Sequence, residues 1–281
     1  MDFSKINVST ITVMVYSNML FDLNKLFNKM NIYRIENPPL TKKKKLPNIK
    51  QIDAPYGSII SLRIGNKFKG LVTKIVENES TYFLNQITCI LSLGNKKNIN
   101  IFIFKSSFKI VGCKNQSMTE EIILILWENY IRQHKDCYTI VDNENPNFTF
   151  ETVMTNIDFS LGFPINRKNL NTLMNDPQFK DHIKLSKYET TGDSHVNIYF
   201  YTHPQANYYY WKLIDDGETF IYEKVDNIKY KNKKKIKKKY TTFLVFHSSK
   251  TIATARYSYD LEPNFNYFMK IIENNRKIIE K

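Results

Sequence analysis

The chain has 281 residues, 42% hydrophobic and 14% aromatic, enough apolar material for a sizeable core, which excludes a disordered protein. Its net charge is +14, yet four lysines at residues 42–45 and seven within 231–239 hold most of that excess. Such runs serve as flexible arms, phosphate contacts or import signals, so the charge invites a nucleic-acid reading without establishing it.

Residues 6–16 are β-branched throughout and predict a first strand, after which Leu20, Leu23, Leu26, Phe27 and Met30 recur at helical spacing. Pro38, Pro39, Pro47 and Pro55 make residues 36–56 a mobile connection without regular structure, and a short strand is expected at 58–64. Residues 99–114 read as a hairpin with a Lys/Ser tip. Ser117 and Glu120 have capping-box spacing ahead of the stripe Ile122, Ile123, Leu126 and Trp127, which predicts a core helix over 117–132.

The second half opens with a strand at 150–161 and a helix at 166–174, followed by strands at 182–188 and 195–201 around a turn at 190–193. Residues 203–239 read as an insertion whose Tyr208, Tyr209, Tyr210 and Trp211 either pack it onto the domain or stack on unpaired bases. Residues 240–256 form two β-branched and aromatic runs joined at His247-Ser248-Ser249-Lys250, a hairpin. Alternation sets Thr242, Leu244, Phe246, Ile252, Thr254 and Arg256 on one face, and Phe243, Val245, Thr251, Ala253 and Ala255 on the other. Both faces are largely apolar, so each needs a partner. A helical pattern at 263–276 follows.

The two hairpins correspond, with Phe104 and Phe246 lying 142 residues apart, and the strand-then-helix openings repeat at a similar offset. Two independent landmarks thus agree on an internal duplication, 1–145 with an insertion at about 36–80 and 146–281 with a Lys-rich insertion at about 203–239.

These residues also resemble a known family. Phe246, Lys250 and Ile252-Ala253-Thr254 are similar to the phenylalanine, turn lysine and V-L-T-G stretch of the TATA-box-binding protein, itself built from two repeats. Phe83-Leu84-Asn85-Gln86-Ile87-Thr88 resembles its phenylalanine-led third strand; Phe102, Phe104 and Ile110-Val111-Gly112-Cys113-Lys114 resemble the next hairpin, slipped by one residue. The likeness spans both repeat cores but not the insertions, and its divergence is like that of TATA-box-binding-like proteins of large DNA viruses. It implies an α+β fold: a duplicated saddle, one curved antiparallel sheet with helices on the convex face.

The implied function is transcription initiation on double-stranded A/T-rich promoter DNA, held by its minor groove against the concave sheet, with general transcription factors and the RNA polymerase machinery as partners. The implied compartment is the nucleus, or the viral factory or virion of a virus. By resemblance Phe83 and Phe104 form one wedge pair and Phe246 a single wedge, Phe102, Val111, Leu244, Ile252 and Thr254 line the groove floor, Asn156 and Asn7 reach base edges, and Lys109 and Lys250 face the DNA. Two features depart from the family. No second wedge precedes residues 195–201, although Tyr188 on the neighbouring strand could replace it, and Cys89 and Tyr199-Phe200 lie near where phosphate-clamping arginines are expected. An alternative use of the same fold is a binding module for protein or single-stranded nucleic acid, without TATA recognition.

Catalytic signatures are missing: there is no P-loop, no G-x-S-x-G and no H-E-x-x-H. His182, His195, His203 and His247 are dispersed, Asp215-Asp216 has no partner motif, and Cys89, Cys113 and Cys137 lack metal-ligand spacing, so no enzyme, cofactor or metal site is expected. The longest apolar run is too short for a bilayer span and residues 1–5 do not read as a secretory signal, so a soluble intracellular protein without a membrane partner is expected.

Overall fold

The computed structural model describes residues 1–36, 46–72, 83, 85–188, 194–202, 209–231 and 240–281, with residue 258 in backbone only. The first half contains β1 (Val8–Ser17), β2 (Met19–Phe21), α1 (Leu23–Lys29), β3 (Ile59–Ile64), β4 (Lys67–Gly70), β5 (Ile87–Ser92), β6 (Asn98–Ile103), β7 (Ser107–Cys113), α2 (Gln116–Leu126) and β8 (Tyr138–Ile140). The second contains β9 (Asn147–Ser160), α3 (Arg167–Met174), β10 (Ile183–Lys187), β11 (His195–Tyr201), β12 (Tyr210–Asp215), β13 (Phe220–Val225), β14 (Tyr240–Phe246), β15 (Lys250–Ala255), α4 (Ser258–Asn274) and α5 (Arg276–Ile279). The fold is α+β, with a large antiparallel sheet and few helices.

The chain forms two compact units. An N-terminal unit comprises Thr12–Glu151 and Asn207–Asn232, and a C-terminal unit comprises Met1–Ile11, Thr152–Ala206 and Lys233–Lys281. These bounds differ from a division at 145/146, because β1 and β9 each change unit part-way and the ribbon β12–β13 joins the first half of the chain.

In the C-terminal unit the strand order is β10-β11-β14-β15-β9, antiparallel throughout. In the N-terminal unit it is β3-β5-β6-β7-β1, with β4 outside β3. Counted among the five strands of each order, both read second, third, fourth, fifth, first, and in both a helix follows the first of them and another follows the fifth.

The core of the C-terminal unit lies on one side of its sheet. The odd residues of β14 and β15 alternate inward as predicted, and Phe243, Val245, Thr251, Ala253 and Ala255 are buried with Val196, Ile198 and Phe200 against Phe265 and Phe268 of α4. Phe243 and Phe268 stack with centroids 4.4 Å apart, and truncating either to alanine would cost about 3–5 kcal/mol. That burial carries α4 through Pro263, so the helix begins at Ser258, ahead of the proline that marks its start in the sequence pattern. In the N-terminal unit, Trp127 packs edge-on to Phe148 in the turn after α2. The residue capping α2 is Asn115, which accepts from the Met118 amide at 2.9 Å, not Ser117; Asn115 is already extended while Ser117 lies within the first helical turn. Likewise Asp22 caps α1 and accepts from the Lys25 amide, shortening the expected helix to Leu23–Lys29.

The last part of the proline-rich connection is packed in place. Residues 46–56 form a strap with a 3-10 turn at Ile49–Gln51 and bury Ile52 and Ala54 against Ile60, Leu71 and Ile90. Asn98 Nδ2 donates to the carbonyls of Ile49 and Ile52, and Ser92 Oγ donates to that of Ala54. Apolar burial and these hydrogen bonds thus hold a segment that the prolines alone mark as mobile.

Candidate nucleic-acid interface

In each unit the sheet face opposite the helices is built from alternate residues. In the C-terminal unit that face carries a contiguous patch: Leu244 opposite Ile252, Thr242 opposite Thr254, and Thr254 opposite Asn156. Each is partly exposed, while the intervening residues are buried. Asn156 is held in place, since Thr254 Oγ1 donates to its Oδ1 at 2.7 Å and its Nδ2 donates to Thr10 Oγ1 at 3.0 Å. Phe246 ends β14 beside His195, whose ring lies 5.2 Å away. An aromatic group therefore does stand next to this phenylalanine, in the form of histidine. Tyr188 packs against the helix-side core instead, with Arg167 over its ring.

Asp158 also belongs to this face, exposed and directly opposite Ile252. On the other side of the patch Asn197 faces Leu244, and Lys187 faces Asn197. The row across the sheet therefore runs lysine, asparagine, leucine, isoleucine, aspartate.

The matching row in the N-terminal unit is Arg63, Thr88, Phe102 and Lys109. Lys109 lies over the Phe102 ring at 5.9 Å, and Val111 sits opposite Asn100. The one-residue slip between the hairpins has a simple origin. Phe104 and Ser107 close a tight turn around Lys105-Ser106, whereas three residues separate Phe246 from Lys250. Lys109 consequently occupies the position of Ile252, and Ser107 that of Lys250. Lys250 itself begins β15, exposed, opposite Ser160.

Two expected partners are not brought together. Continuing the register from Ile87 opposite Ile103 sets Gln86 against Phe104, so Phe83, 73% exposed, is not its cross-strand neighbour. Asn7 is exposed ahead of β1 and does not match Asn156. Leu161 and Ile165 bond to the second hairpin tip as Ser17 and Phe21 bond to the first, an offset of 144 residues that pairs Asn156 with the buried Thr12. The strap over Ile90, Ser92 and Asn98 covers the outer part of the N-terminal unit's open face.

Arg63, Lys187, Asn197 and Asp158 do not stand out in the sequence. Only the polar positions Ser61 and Arg63 among apolar neighbours hint that β3 has a second face.

Residues 42–45, 190–193, 208 and 232–239 lie outside the described residues, as does Leu84. Lys231, the first residue of the longer lysine run, pairs with the buried Glu151, which also accepts from Tyr16 Oη at 3.1 Å. Its neighbours extend the clasp: Lys229 pairs with Asp142 and Glu144, and Tyr230 donates to Asp142. Burial alone would raise the Asp142 carboxyl, but hydrogen bonds from Tyr230, Asn18 and Lys229 outweigh it and hold the pKa at about 2. Burial, then the bond to Asp142, pushes the Tyr230 phenol up to about 12.

All three cysteines are free, and burial raises each thiol, so none has the low pKa of a reactive nucleophile. Among the described residues no group of three or more His, Cys, Asp or Glu side chains is placed to hold a metal ion, and no helix is long and apolar enough to cross a membrane. A scan against protein-family models finds no match for the chain, and a search of curated proteins finds none either.

Proposed function

We propose that this chain is a TATA-box-binding-like initiation factor, a duplicated saddle that holds A/T-rich promoter DNA by its minor groove against the open sheet faces. In that role its partners are general transcription factors and RNA polymerase. The observation that carries the reading is the patch of Leu244, Ile252, Thr254 and Asn156 on a sheet whose strand order recurs in both units. The minor groove of A·T pairs presents acceptors and no guanine amino group, so aliphatic side chains with a few hydroxyls and amides complement it. Phe104 and Phe246, at equivalent hairpin ends, are suited to wedge between base steps. Lys187, at the outer end of its row, and Arg63, beside Phe68 of β4, suit phosphate contact, which positions the duplex without reading it.

Asp158 favours a second reading, in which the same face takes a protein segment bearing a cation, because a carboxylate beside Ile252 repels the acceptors of a groove floor. Fluorescence anisotropy with a labelled A/T-rich duplex tests the first. The double variant Leu244→Glu, Phe246→Glu should lose about a hundredfold in affinity, one decade for each apolar contact, with an unchanged circular dichroism spectrum. A folded variant that binds like the parent shows that the face is misassigned.

A further inference from the structure

We infer that the ribbon β12–β13 is a stacking platform for single-stranded nucleic acid, a site separate from the open sheet faces and independent of the duplex reading. The ribbon has no counterpart in the strand order that recurs in both units, and among the described residues β13 pairs with β12 alone. Its register puts Trp211 opposite Lys224 and Leu213 opposite Tyr222, so these four side chains share one face. Tyr209 joins them, because the Lys224 ammonium lies 3.8 Å from the centre of its ring.

The same row anchors the ribbon. Leu213 is fully buried, and Asp215 accepts from Trp127 Nε1 at 2.6 Å and pairs with Arg132 at 3.3 Å. Three rings are thus held on a fixed support while Tyr209, Trp211 and Tyr222 stay 48%, 45% and 54% exposed. Half-exposed rings on a strand pair with a lysine among them offer what an unpaired strand needs, π-faces for its bases and a cation for its phosphate. A duplex keeps its base faces inside the stack and cannot use them. Glu120, close enough to Tyr222 to help raise its phenol after burial does, limits the positive field here. Stacking therefore dominates over charge, and the platform contributes about one phosphate contact to the salt dependence.

The chain contains two tryptophans, of which Trp127 is buried, so emission quenched by bases reports on Trp211. The full chain is titrated with oligo(dT) and oligo(rU) of twelve nucleotides, following tryptophan emission and the anisotropy of a dye on the oligonucleotide. We expect quenching by at least one of the two, about tenfold weaker binding for Trp211→Ala, and binding within about threefold of the parent for Trp211→Phe, which keeps a ring. Tyr209→Ala, outside the strand, supplies a second loss variant should Trp211→Ala not fold. Leu244→Glu should leave these affinities unchanged, which separates this site from the duplex face. The inference is overturned if neither oligonucleotide changes Trp211 emission at saturation, if the alanine variants bind like the parent, or if Leu244→Glu abolishes oligonucleotide binding.

Discussion

Asp158 is the residue on which the two readings of the open face diverge. Its carboxylate is exposed between Ile252 and the neighbouring strand, with Lys187 four strands away at the far end of the same row. Against a minor groove it faces acceptors and backbone phosphates, and at a few ångströms that repulsion survives moderate salt. Asp158→Asn, which keeps the shape and removes the charge, should therefore tighten duplex binding roughly threefold to tenfold at low salt, with the gain shrinking as salt is added. A variant with weakened duplex binding would mean that the carboxylate makes a favourable contact and that the face is not organised around an anionic ligand. At this scale the sequence is most easily misread. Alternation identifies Leu244, Phe246, Ile252 and Thr254 as sharing a face, because those positions sit in a strand pair with an unambiguous period of two. Lys109 takes the position of Ile252 and not that of Lys250, because the shorter first turn shifts everything after it by one residue.

Elements are held by contacts that sequence periodicity does not contain. The strap of residues 46–56 has no repeating pattern, only Leu46, Ile49, Ile52 and Ala54 scattered among polar residues and prolines, yet it closes over Ile90 through burial and hydrogen bonds. The clasp formed by Lys229, Tyr230 and Lys231 belongs to the same class. It fixes the start of the longer lysine run to carboxylates about 80 residues or more away in sequence, which no sequence window can pair. Its pH dependence follows from Asp142. The folded pKa of about 2 lies below the ordinary value of 3.8, so the contribution to stability is complete above about pH 4 and is lost as pH falls toward 2. Asp142→Asn should cost about 1–2 kcal/mol at pH 7, measured by urea unfolding, and the difference from the parent should vanish near pH 2. A cost that stays constant down to pH 2 would place the effect in packing, not in the charge.

For the molecule as a whole, the net charge of +14 and the open faces do different things. The lysine runs suit sequence-independent attraction to a polyanion in the proposed role, and the rows of each face mix Arg63, Lys109 and Lys187 with apolar residues and one carboxylate. In the proposed role, discrimination between sequences would rest on the apolar floor, whose fit is best where no guanine amino group projects into the minor groove. That makes base substitution a sharper probe than affinity alone. Inosine·cytosine pairs carry the minor-groove pattern of A·T without the amino group, while their major groove resembles that of G·C. The most direct measurement is a competition series at fixed salt in which an A/T-rich duplex is replaced by inosine·cytosine and then by guanine·cytosine of the same length. The inosine duplex should compete within about threefold of the A/T duplex, and the guanine duplex should be at least tenfold weaker, about 1.4 kcal/mol. Equal competition by all three duplexes, or an inosine duplex as weak as the guanine one, would contradict minor-groove recognition by these faces.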